Sequence, residues 1–414
     1  MADLKQEKSS FRLVGCVAPI TKNSLQPAKL NKKNTWHTVN TTLGIDIDGQ
    51  GNIVYARLFG GHSSQGKPIY VRPAKVNEGE EYKMLEIPLQ DRNNQELYDE
   101  ISNQDIYTTD VSGTKQQFIS MVDFVNHLRE NIVEGMEVIV YGNVEYSVSD
   151  VNDMDKVYRN YNVNSVLLNK QVEDKETGET KLSVEHGTRL IQTYLLTNYS
   201  LPSDWKSQLK KEKEVIITGF VPQYIGTVKD KHSGSYIPYK HTVAIPQSIV
   251  ARLESTPEKT LKLLDNLFKV KGDDSIRKIN LHVRINEGYT QSTGEINVSP
   301  ELQKLIDSGL LSLDEVEQQV TVRGPRTREL ILETVSVTYD RDTAVVSPYD
   351  DEMYQYDVLQ VPKPKVDADQ DFNTISDKKE SKSDDNISID DDIFEDEFTE
   401  SDNQADNFLD GLFD

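Results

Sequence analysis

Short runs in which apolar and polar residues alternate cover most of the first 340 residues of the chain. The runs are rich in Val, Ile, Thr and Tyr and are bounded by Gly, Asn, Asp and Pro, a pattern typical of β-strands joined by turns. The predicted strands cover 11–17, 35–47, 52–59, 137–148, 157–168, 190–197, 214–224, 239–246, 276–285 and 319–323, with another near 330–339. We therefore expect a mainly β protein.

Few segments have the spacing of a helix. Residues 118–132 place five apolar side chains on one helical face, and residues 257–268 begin with a proline that suits a first helical turn. A shorter helix is predicted at 300–306. Residues 48–52, with the sequence Asp-Gly-Gln-Gly-Asn, lie between two strands and predict a hairpin turn.

The order three strands, helix, two strands occurs twice. This is the order of an oligonucleotide-binding (OB) barrel, a five-stranded Greek key. A strand motif with a central glycine also recurs, at 137–144, 214–221 and 319–324 and in shorter form at 13–17. A glycine inside a strand is one way to bend it at a barrel corner. We predict a flexible arm at 1–10, OB-like barrels at 11–170 and 171–345, and a linker with a disordered tail at 346–414. Residues 79–113 would be an irregular insertion.

Charge is distributed unevenly along the chain of 414 residues, whose formal net charge is −23. Residues 366–414 contain 18 acidic residues and three lysines, whereas residues 8–77 contain ten basic residues and two acidic ones. Such asymmetry indicates a body that binds a polyanion and an acidic tail that cannot fold alone. The tail also carries five of the eleven phenylalanines, which indicates docking into basic, apolar pockets.

The motifs that would indicate an enzyme are incomplete. Residues 61–68 resemble a phosphate-binding loop, but Pro68 replaces the hydroxyl residue that binds magnesium. The acidic pair at 46 and 48 lacks the distal glutamate of a calcium loop. The single cysteine, Cys16, excludes a disulfide framework, a cysteine-based zinc site and an iron–sulfur cluster, and it is expected to be buried in a strand rather than nucleophilic. We expect no catalytic residue, cofactor or metal. A nuclease with scattered carboxylates remains an alternative.

Aromatic and basic residues alternate on several predicted strands. Tyr55, Arg57 and Phe59 share one strand face, which offers rings for base stacking and a cation for phosphates. Tyr70 and Arg72 repeat the pattern beyond a Gly-Ser loop. The predicted nucleic-acid-binding residues are Lys22, Lys32, Lys33, Trp36, His37, Tyr55, Arg57, Phe59, His62, Lys67, Tyr70, Arg72, Tyr236, Tyr239 and Lys240.

With these residues the chain resembles single-stranded DNA-binding proteins of bacterial and bacteriophage type. The resemblance rests on Trp36, Tyr55, Arg57, Phe59, Tyr70 and Arg72, and on the tail tip at 406–414. It implies OB barrels that coat single-stranded DNA without reading sequence, in replication, recombination or repair. It also implies a tail that competes with DNA and recruits replication and recombination proteins. The partner-binding residues would be Phe408, Leu409, Leu412 and Phe413.

Two other functions remain open at this point. One is a nuclease or replication-initiation enzyme, which metal-dependent cleavage of an oligonucleotide would reveal. The other is an adaptor that acts only through its Phe-rich acidic tail, which a failure to bind any nucleic acid would favour. The chain has no apolar window long enough to span a membrane, and residues 1–10 lack the apolar core of a signal peptide. We therefore expect a cytoplasmic protein without membrane contact.

Overall fold

The computed structural model describes the greater part of the chain outside the acidic tail. The described residues are 4–7, 9–49, 51–75, 83–151, 153–173, 180–229, 236–253, 257–270, 275–292, 303, 306, 308, 322–339, 346–348 and 354–360. The predicted partner-binding residues Phe408, Leu409, Leu412 and Phe413 lie outside this set. Only residues 303 and 306 of the predicted short third helix belong to it.

The protein is mainly β, as predicted, and most of its strands belong to one large sheet. The strands are β1 (Ser10–Val17), β2 (Lys29–Leu30), β3 (Trp36–Asp46), β4 (Ile53–Ser63), β5 (Ile69–Val71), β6 (Leu85–Ile87), β7 (Tyr107–Thr109), β8 (Gln116–Phe118), β9 (Glu137–Asp150), β10 (Asp153–Leu168), β11 (Gln171–Glu173), β12 (Thr180–Leu182), β13 (Gly187–Leu196), β14 (Glu214–Lys229), β15 (Tyr236–Arg252), β16 (Ser275–Ser292), β17 (Val322–Val335), β18 (Thr338–Tyr339), β19 (Val346–Ser347) and β20 (Tyr354–Gln355). The α-helices are α1 (Met121–Asn131), α2 (Trp205–Glu212) and α3 (Pro257–Leu267), and short 3₁₀ turns lie at Leu89–Asp91, Gln95–Glu100, Asn103–Asp105 and Tyr356–Leu359.

The first five long strands pair in a closed order. Strand β1 pairs with β3, β3 with β4, β10 with β9, and β9 with β1, all antiparallel. The remaining contact, between β10 and β4, is parallel. The hairpin turn predicted between β3 and β4 is confirmed, and Asp46 accepts hydrogen bonds from the backbone N–H groups of Gly49 and Gly51. We call these strands the first ring.

A second set of strands repeats this order. Strand β13 pairs antiparallel with β14 and with β16, and β16 pairs antiparallel with β17. Strand β14 lies beside β15, and β15 meets β17 in parallel. Helix α3 precedes the fourth strand here, as α1 does in the first ring. We call this set the second ring.

Three of the repeated glycines sit where strands approach closely. A Cβ atom on Gly15 would lie 2.1 Å from the carbonyl oxygen of Asp46, and one on Gly142 would lie 1.9 Å from that of Asn162. At Gly219 the nearest atom is a ring carbon of Tyr194 at 3.0 Å. Neighbouring backbone occupies the space of a side chain at the first two positions, so only glycine fits there.

Helix α1 spans nearly the predicted segment, and its buried face includes Phe124 and Leu128. The region predicted as an irregular insertion contains β6, β7 and the first three 3₁₀ turns. Its residues Tyr98 and Ile106 form a small core together with Val71 of β5. Helix α2 had no counterpart in the sequence prediction, because only Trp205 and Leu209 of its eight residues are buried and they make a weak apolar pattern.

The two rings are joined by strand pairing and by a buried polar cluster. Strand β1 pairs antiparallel with β13, so one sheet continues from ring to ring. Arg159 of β10 donates through Nη1 to Glu287 Oε1 of β16 at 3.4 Å and through Nη2 to Gln247 Oε1 of β15 at 3.3 Å. Tyr161 donates to Glu287 Oε1 at 2.8 Å. Burial raises the pKa of Tyr161 well above its ordinary value, so the phenol stays protonated and can donate.

The described part of the predicted N-terminal arm has specific partners. Ser9 Oγ donates to the carbonyl oxygen of Val144 at 2.7 Å, and Glu7 forms an ion pair with Lys278. Leu4 packs against the cluster that contains Ile276. These contacts tie residues of the arm to both rings, whereas a flexible arm would lack such partners.

The chain divides into two compact units. The first comprises residues 1–224 and 242–361. The second comprises residues 225–241 and 362–414, of which 225–229 and 236–241, at the ends of β14 and β15, are described. Within the described residues, none of the helices has the length and apolar content needed to cross a membrane.

Candidate nucleic-acid interface

The outward side of the β3–β4 hairpin carries three of the aromatic residues predicted to bind nucleic acid, Trp36, Tyr55 and Phe59. Because side chains alternate along a strand, Val54, Ala56 and Leu58 of β4 point into the first ring, where each is fully buried. The residues between and beside them point outward, and so do alternate residues of β3. We define the β3–β4 face as Trp36, Asn40, Tyr55, Arg57 and Phe59.

Two glycines make room for the aromatic rings of this face. Tyr55 is 46% exposed and stands opposite Gly44 across the hairpin, where a Cβ would lie 3.2 Å from Tyr55 Cε1. Trp36 lies over Gly61, where a Cβ would come within 2.5 Å of the indole Nε1. The indole is half-buried and Tyr55 is open to solvent. Both rings therefore lie on the surface, where a base could stack on them.

Arg57 is held by its neighbours on the face rather than extended into solvent. The residue is only 7% exposed, its Nε donates to Asn40 Oδ1 at 3.2 Å, and its guanidinium carbon lies 4.2 Å from the centre of the Phe59 ring. Burial lowers the pKa of Arg57 to about 10, against the opposing effect of Glu145, so the group stays protonated at neutral pH. Arg57 thus stacks on Phe59 and adds a positive charge at the centre of the face.

Exposed lysines lie in the loops at the edges of the same hairpin. Lys32 and Lys33 occupy the turn before Trp36, and Lys67 lies in the loop after β4. The two loops are connected, because Ser64 Oγ donates to the carbonyl oxygen of Asn34 at 2.8 Å. Lys22 lies in the segment whose residues 24–26 hydrogen-bond to β3 near Thr42. Three of these four lysines therefore lie at the Trp36 end of the face.

His37 and His62 have the opposite strand parity to the residues of the face. His62 is buried, and its Nδ1 lies 3.1 Å from the Oγ of Ser120, which caps the N-terminus of α1. Burial lowers the pKa of His62, so the ring is neutral at physiological pH. The half-buried ring of His37 lies 5.4 Å from that of His62. His62 contacts the start of α1 and His37 packs beside His62, so neither ring lies on the β3–β4 face.

Tyr70 lies on β5, which pairs with β6 in a separate small sheet, and Arg72 directly follows the end of β5. Tyr70 is exposed. Arg72 Nε donates to Asp105 at 3.0 Å, and its Nη1 donates to Gln104 Oε1 at 2.9 Å. Asp105 neutralises the charge that the sequence pattern assigned to phosphate binding. Tyr70 therefore keeps an exposed ring, whereas the guanidinium of Arg72 is paired.

The predicted residues of β15 belong to the second compact unit. Tyr236 and Lys240 are exposed, whereas Tyr239 is buried and its ring lies 4.9 Å from that of His241. Burial raises the pKa of Tyr239. Only Tyr236 and Lys240 present surface that could contact a nucleic acid.

Sequence reasoning missed the part of β10 that lies beside this hairpin. Asn162 pairs with Arg57 in the parallel β10–β4 contact, and its Nδ2 donates to Glu145 Oε2 at 2.7 Å. Tyr158 shares the strand face of Asn162 and is 48% exposed. The sequence shows that Tyr158 and Asn162 lie on one face of the strand and that Arg159 and Tyr161 lie on the other. Because arginine is usually exposed, the sequence alone indicates the face of Arg159 as the outward one, whereas the structure places Tyr158 at the surface.

The environment of Cys16 disfavours its thiolate. The thiol is half-buried on β1, and burial, together with Glu137, raises its pKa to about 11. The group is therefore a neutral thiol at physiological pH, and it is half-buried where the sequence predicted full burial.

No protein-family model matches the chain, and no curated protein sequence shows significant similarity to it.

Proposed function

We propose that the protein binds single-stranded DNA through the β3–β4 face, without reading base sequence and without catalysis. We further propose that each ring is an OB barrel, the first within residues 11–170 and the second within 171–345. In replication or recombination the chain would coat single strands in the cytoplasm.

The observation that carries this proposal is the position of Tyr55, Trp36 and the Arg57–Phe59 pair. They lie outside the second and third strands of the first ring, and an OB barrel binds oligonucleotides on the face of these two strands. The strand order of each ring, closed by a parallel contact between its third and fifth strands, supports the same interpretation. Stacking on exposed rings tolerates any base, because every base has a π-face.

The charged residues of the β3–β4 face and those of its loops are expected to have different roles. Arg57 is engaged with Asn40 and Phe59, and Glu145 places a negative charge nearby. Phosphates are therefore expected at the exposed lysines Lys32, Lys33 and Lys67. Contacts of this kind position the strand but carry no sequence information.

The second ring exposes Tyr224 on β14 and Tyr236 on β15, but carboxylates flank the arginine of its third strand. Arg252 of β15 forms ion pairs with Glu214 at 3.2 Å and with Glu329 at 2.8 Å. The carboxylates neutralise the arginine and would repel phosphates. We therefore assign the main binding surface to the first ring.

Alanine at Tyr55 tests the face directly. We expect Tyr55→Ala to weaken binding to a fluorescent single-stranded oligonucleotide by about 1–3 kcal/mol, because a stacking surface is lost while an exposed ring leaves no cavity. Trp36→Ala should have a similar effect. Anisotropy titrations with single-stranded DNA, duplex DNA and RNA give the affinities, and circular dichroism verifies folding.

The matched control is Tyr199→Ala. Tyr199 is 71% exposed and lies between β13 and α2, outside the β3–β4 hairpin. Its loss should leave DNA affinity unchanged. Equal affinities for Tyr55→Ala, Trp36→Ala and the parent protein, with all three folded, would refute the assignment of the face. Failure of the parent protein to bind any nucleic acid would refute the function.

The acidic tail is proposed to regulate this binding and to recruit partners. Residues 366–414 place 18 acidic residues on the same chain as the lysine-bearing loops, so the tail competes with DNA at high local concentration. Deleting 366–414 should tighten single-stranded DNA binding, most strongly at low salt where screening is weakest. Deleting only 408–414, with Phe408, Leu409, Leu412 and Phe413, should leave DNA affinity nearly unchanged but abolish binding of replication proteins. Unchanged low-salt affinity after the larger deletion would contradict self-competition.

A further inference from the structure

Three side chains of different chemical types meet near the end of β1. Cys16 Sγ donates to Glu137 Oε1 at 3.1 Å, and a second hydrogen bond joins His186 Nε2 to Glu137 Oε2 at 2.7 Å. One ligand-type atom from each residue lies within 4.8 Å of the other two. We propose that Cys16, Glu137 and His186 form a binding site for a divalent cation of the zinc class, which revises the expectation from the sequence that the chain binds no metal.

The donor set suits such an ion. Zinc accepts thiolate, imidazole nitrogen and carboxylate oxygen, at about 2.0–2.3 Å in tetrahedral geometry. Ligand atoms at the corners of that tetrahedron lie about 3.5 Å apart. One Glu137 oxygen, the Cys16 Sγ and one imidazole nitrogen of His186 already lie within 4.8 Å of one another, so small side-chain rotations bring them to that spacing. A softer thiolate with an imidazole selects zinc-like ions over magnesium or calcium, which prefer oxygen alone.

The site has three protein ligands and one open position. Asp46 pairs with Cys16 across β1 and β3, but its two carboxylate oxygens accept the N–H groups of Gly49 and Gly51 at 2.9 and 3.1 Å. Asp46 is thus committed to the hairpin turn, and water takes the fourth coordination position. On binding, the Sγ–H bond breaks, the proton goes to solvent and the thiolate binds the ion.

A buried asparagine holds two of the ligands in place. The backbone N–H of Asn169 donates to the carbonyl oxygen of Glu137 at 3.0 Å. Its side-chain Nδ2 donates to the carbonyl oxygen of Val184 at 2.8 Å, and its Oδ1 accepts from the N–H of Val184 at 3.1 Å. The segment that leads to His186 is therefore anchored to the start of β9. Such preorganisation of ligands is a general property of metal sites.

Ion binding would link the first ring to the start of β13, the first strand of the second ring. Cys16 lies near the end of β1 and Glu137 at the start of β9, whereas His186 directly precedes β13. The ion would tie these three segments together beside the β1–β13 pairing and stabilise the folded chain. This consequence does not depend on DNA binding.

Cobalt provides the test, because Cys16 is the only cysteine of the chain. We expect Co²⁺ added to the full chain, after removal of metal by a chelator, to give thiolate-to-cobalt charge-transfer absorption in the near ultraviolet. Zn²⁺ should displace this signal and raise the melting temperature. Cys16→Ser should abolish the band, and His186→Gln should weaken Zn²⁺ binding by at least about 100-fold, the upper range seen when only a supporting residue is lost.

His241→Gln is the matched control, since it removes an exposed histidine that lies outside the cluster. It should leave the cobalt band and the Zn²⁺ affinity unchanged. Carboxylates of the acidic tail can bind Co²⁺ through oxygen but give no thiolate band. Absence of that band in the folded parent protein, or Zn²⁺ stabilisation that survives in both Cys16→Ser and His186→Gln, would overturn the proposal.

Discussion

Glu287→Leu is expected to lower the free energy of unfolding by about 3–5 kcal/mol, the cost of leaving one partner of a buried ion pair uncompensated. Glu287 is 7% exposed and accepts hydrogen bonds from both Arg159 and Tyr161. Without its carboxylate, the positive charge of Arg159 would remain buried with only neutral partners. Urea denaturation of the full chain followed by intrinsic fluorescence would measure the change.

A double variant separates the loss of a charge partner from the loss of packing. Arg159→Met combined with Glu287→Leu removes both charges, so it should be more stable than Glu287→Leu alone. The exposed pair Lys206–Asp265, whose side chains are 55% and 43% exposed, provides the control. Asp265→Asn should cost less than about 1 kcal/mol, because solvent screens the pair. If Glu287→Leu costs no more than Asp265→Asn, the buried cluster contributes little to joining the rings.

Gly142→Ala is expected to destabilise the first ring by about 3 kcal/mol, the upper end of the usual cost of overpacking. The added Cβ would lie 1.9 Å from the carbonyl oxygen of Asn162 and 2.6 Å from a ring carbon of Phe11. The first neighbour is backbone of the paired strand β10, so relief requires the two strands to separate. Thermal and urea unfolding would measure the loss.

Two further variants test how the loss of stability depends on the atoms that surround the added methyl group. Gly219→Ala should cost clearly less than Gly142→Ala, because its nearest neighbour is a side-chain atom of Tyr194 at 3.0 Å. Asn143→Ala, at an exposed position of the same strand, should stay within about 0.5 kcal/mol of the parent. Equal stability of Gly142→Ala and Asn143→Ala would show that β9 and β10 accommodate the methyl group without separating.

Much of the strand framework was predictable from local patterns. The predicted segments 11–17 and 35–47 correspond to β1 and β3, and helix α1 was placed within about three residues at each end. The repeated glycines were predicted to bend strands, and the structure shows in addition that Gly15 and Gly142 lie where a neighbouring strand approaches closely. These features succeed because alternation, helical spacing and the absence of a Cβ act over a few residues.

The candidate interface was predictable only in part. Tyr55, Arg57 and Phe59 do share a face, as their spacing requires. Spacing alone gives no indication that Arg57 is buried against Asn40 and Phe59. The same limit applies to Arg72, which Asp105 neutralises from 33 residues further along the chain.

The sequence by itself determined which residues alternate along the strands and how charge is distributed along the chain, because both depend only on residue type and position. Tertiary structure decided which strand face is outward: Arg159 turned inward to Glu287, while Tyr158 remained at the surface. It also brought Glu137 and His186 to Cys16 across sequence separations of 121 and 170 residues. No local sequence pattern can specify such contacts, because they depend on the pairing of strands that are distant along the chain.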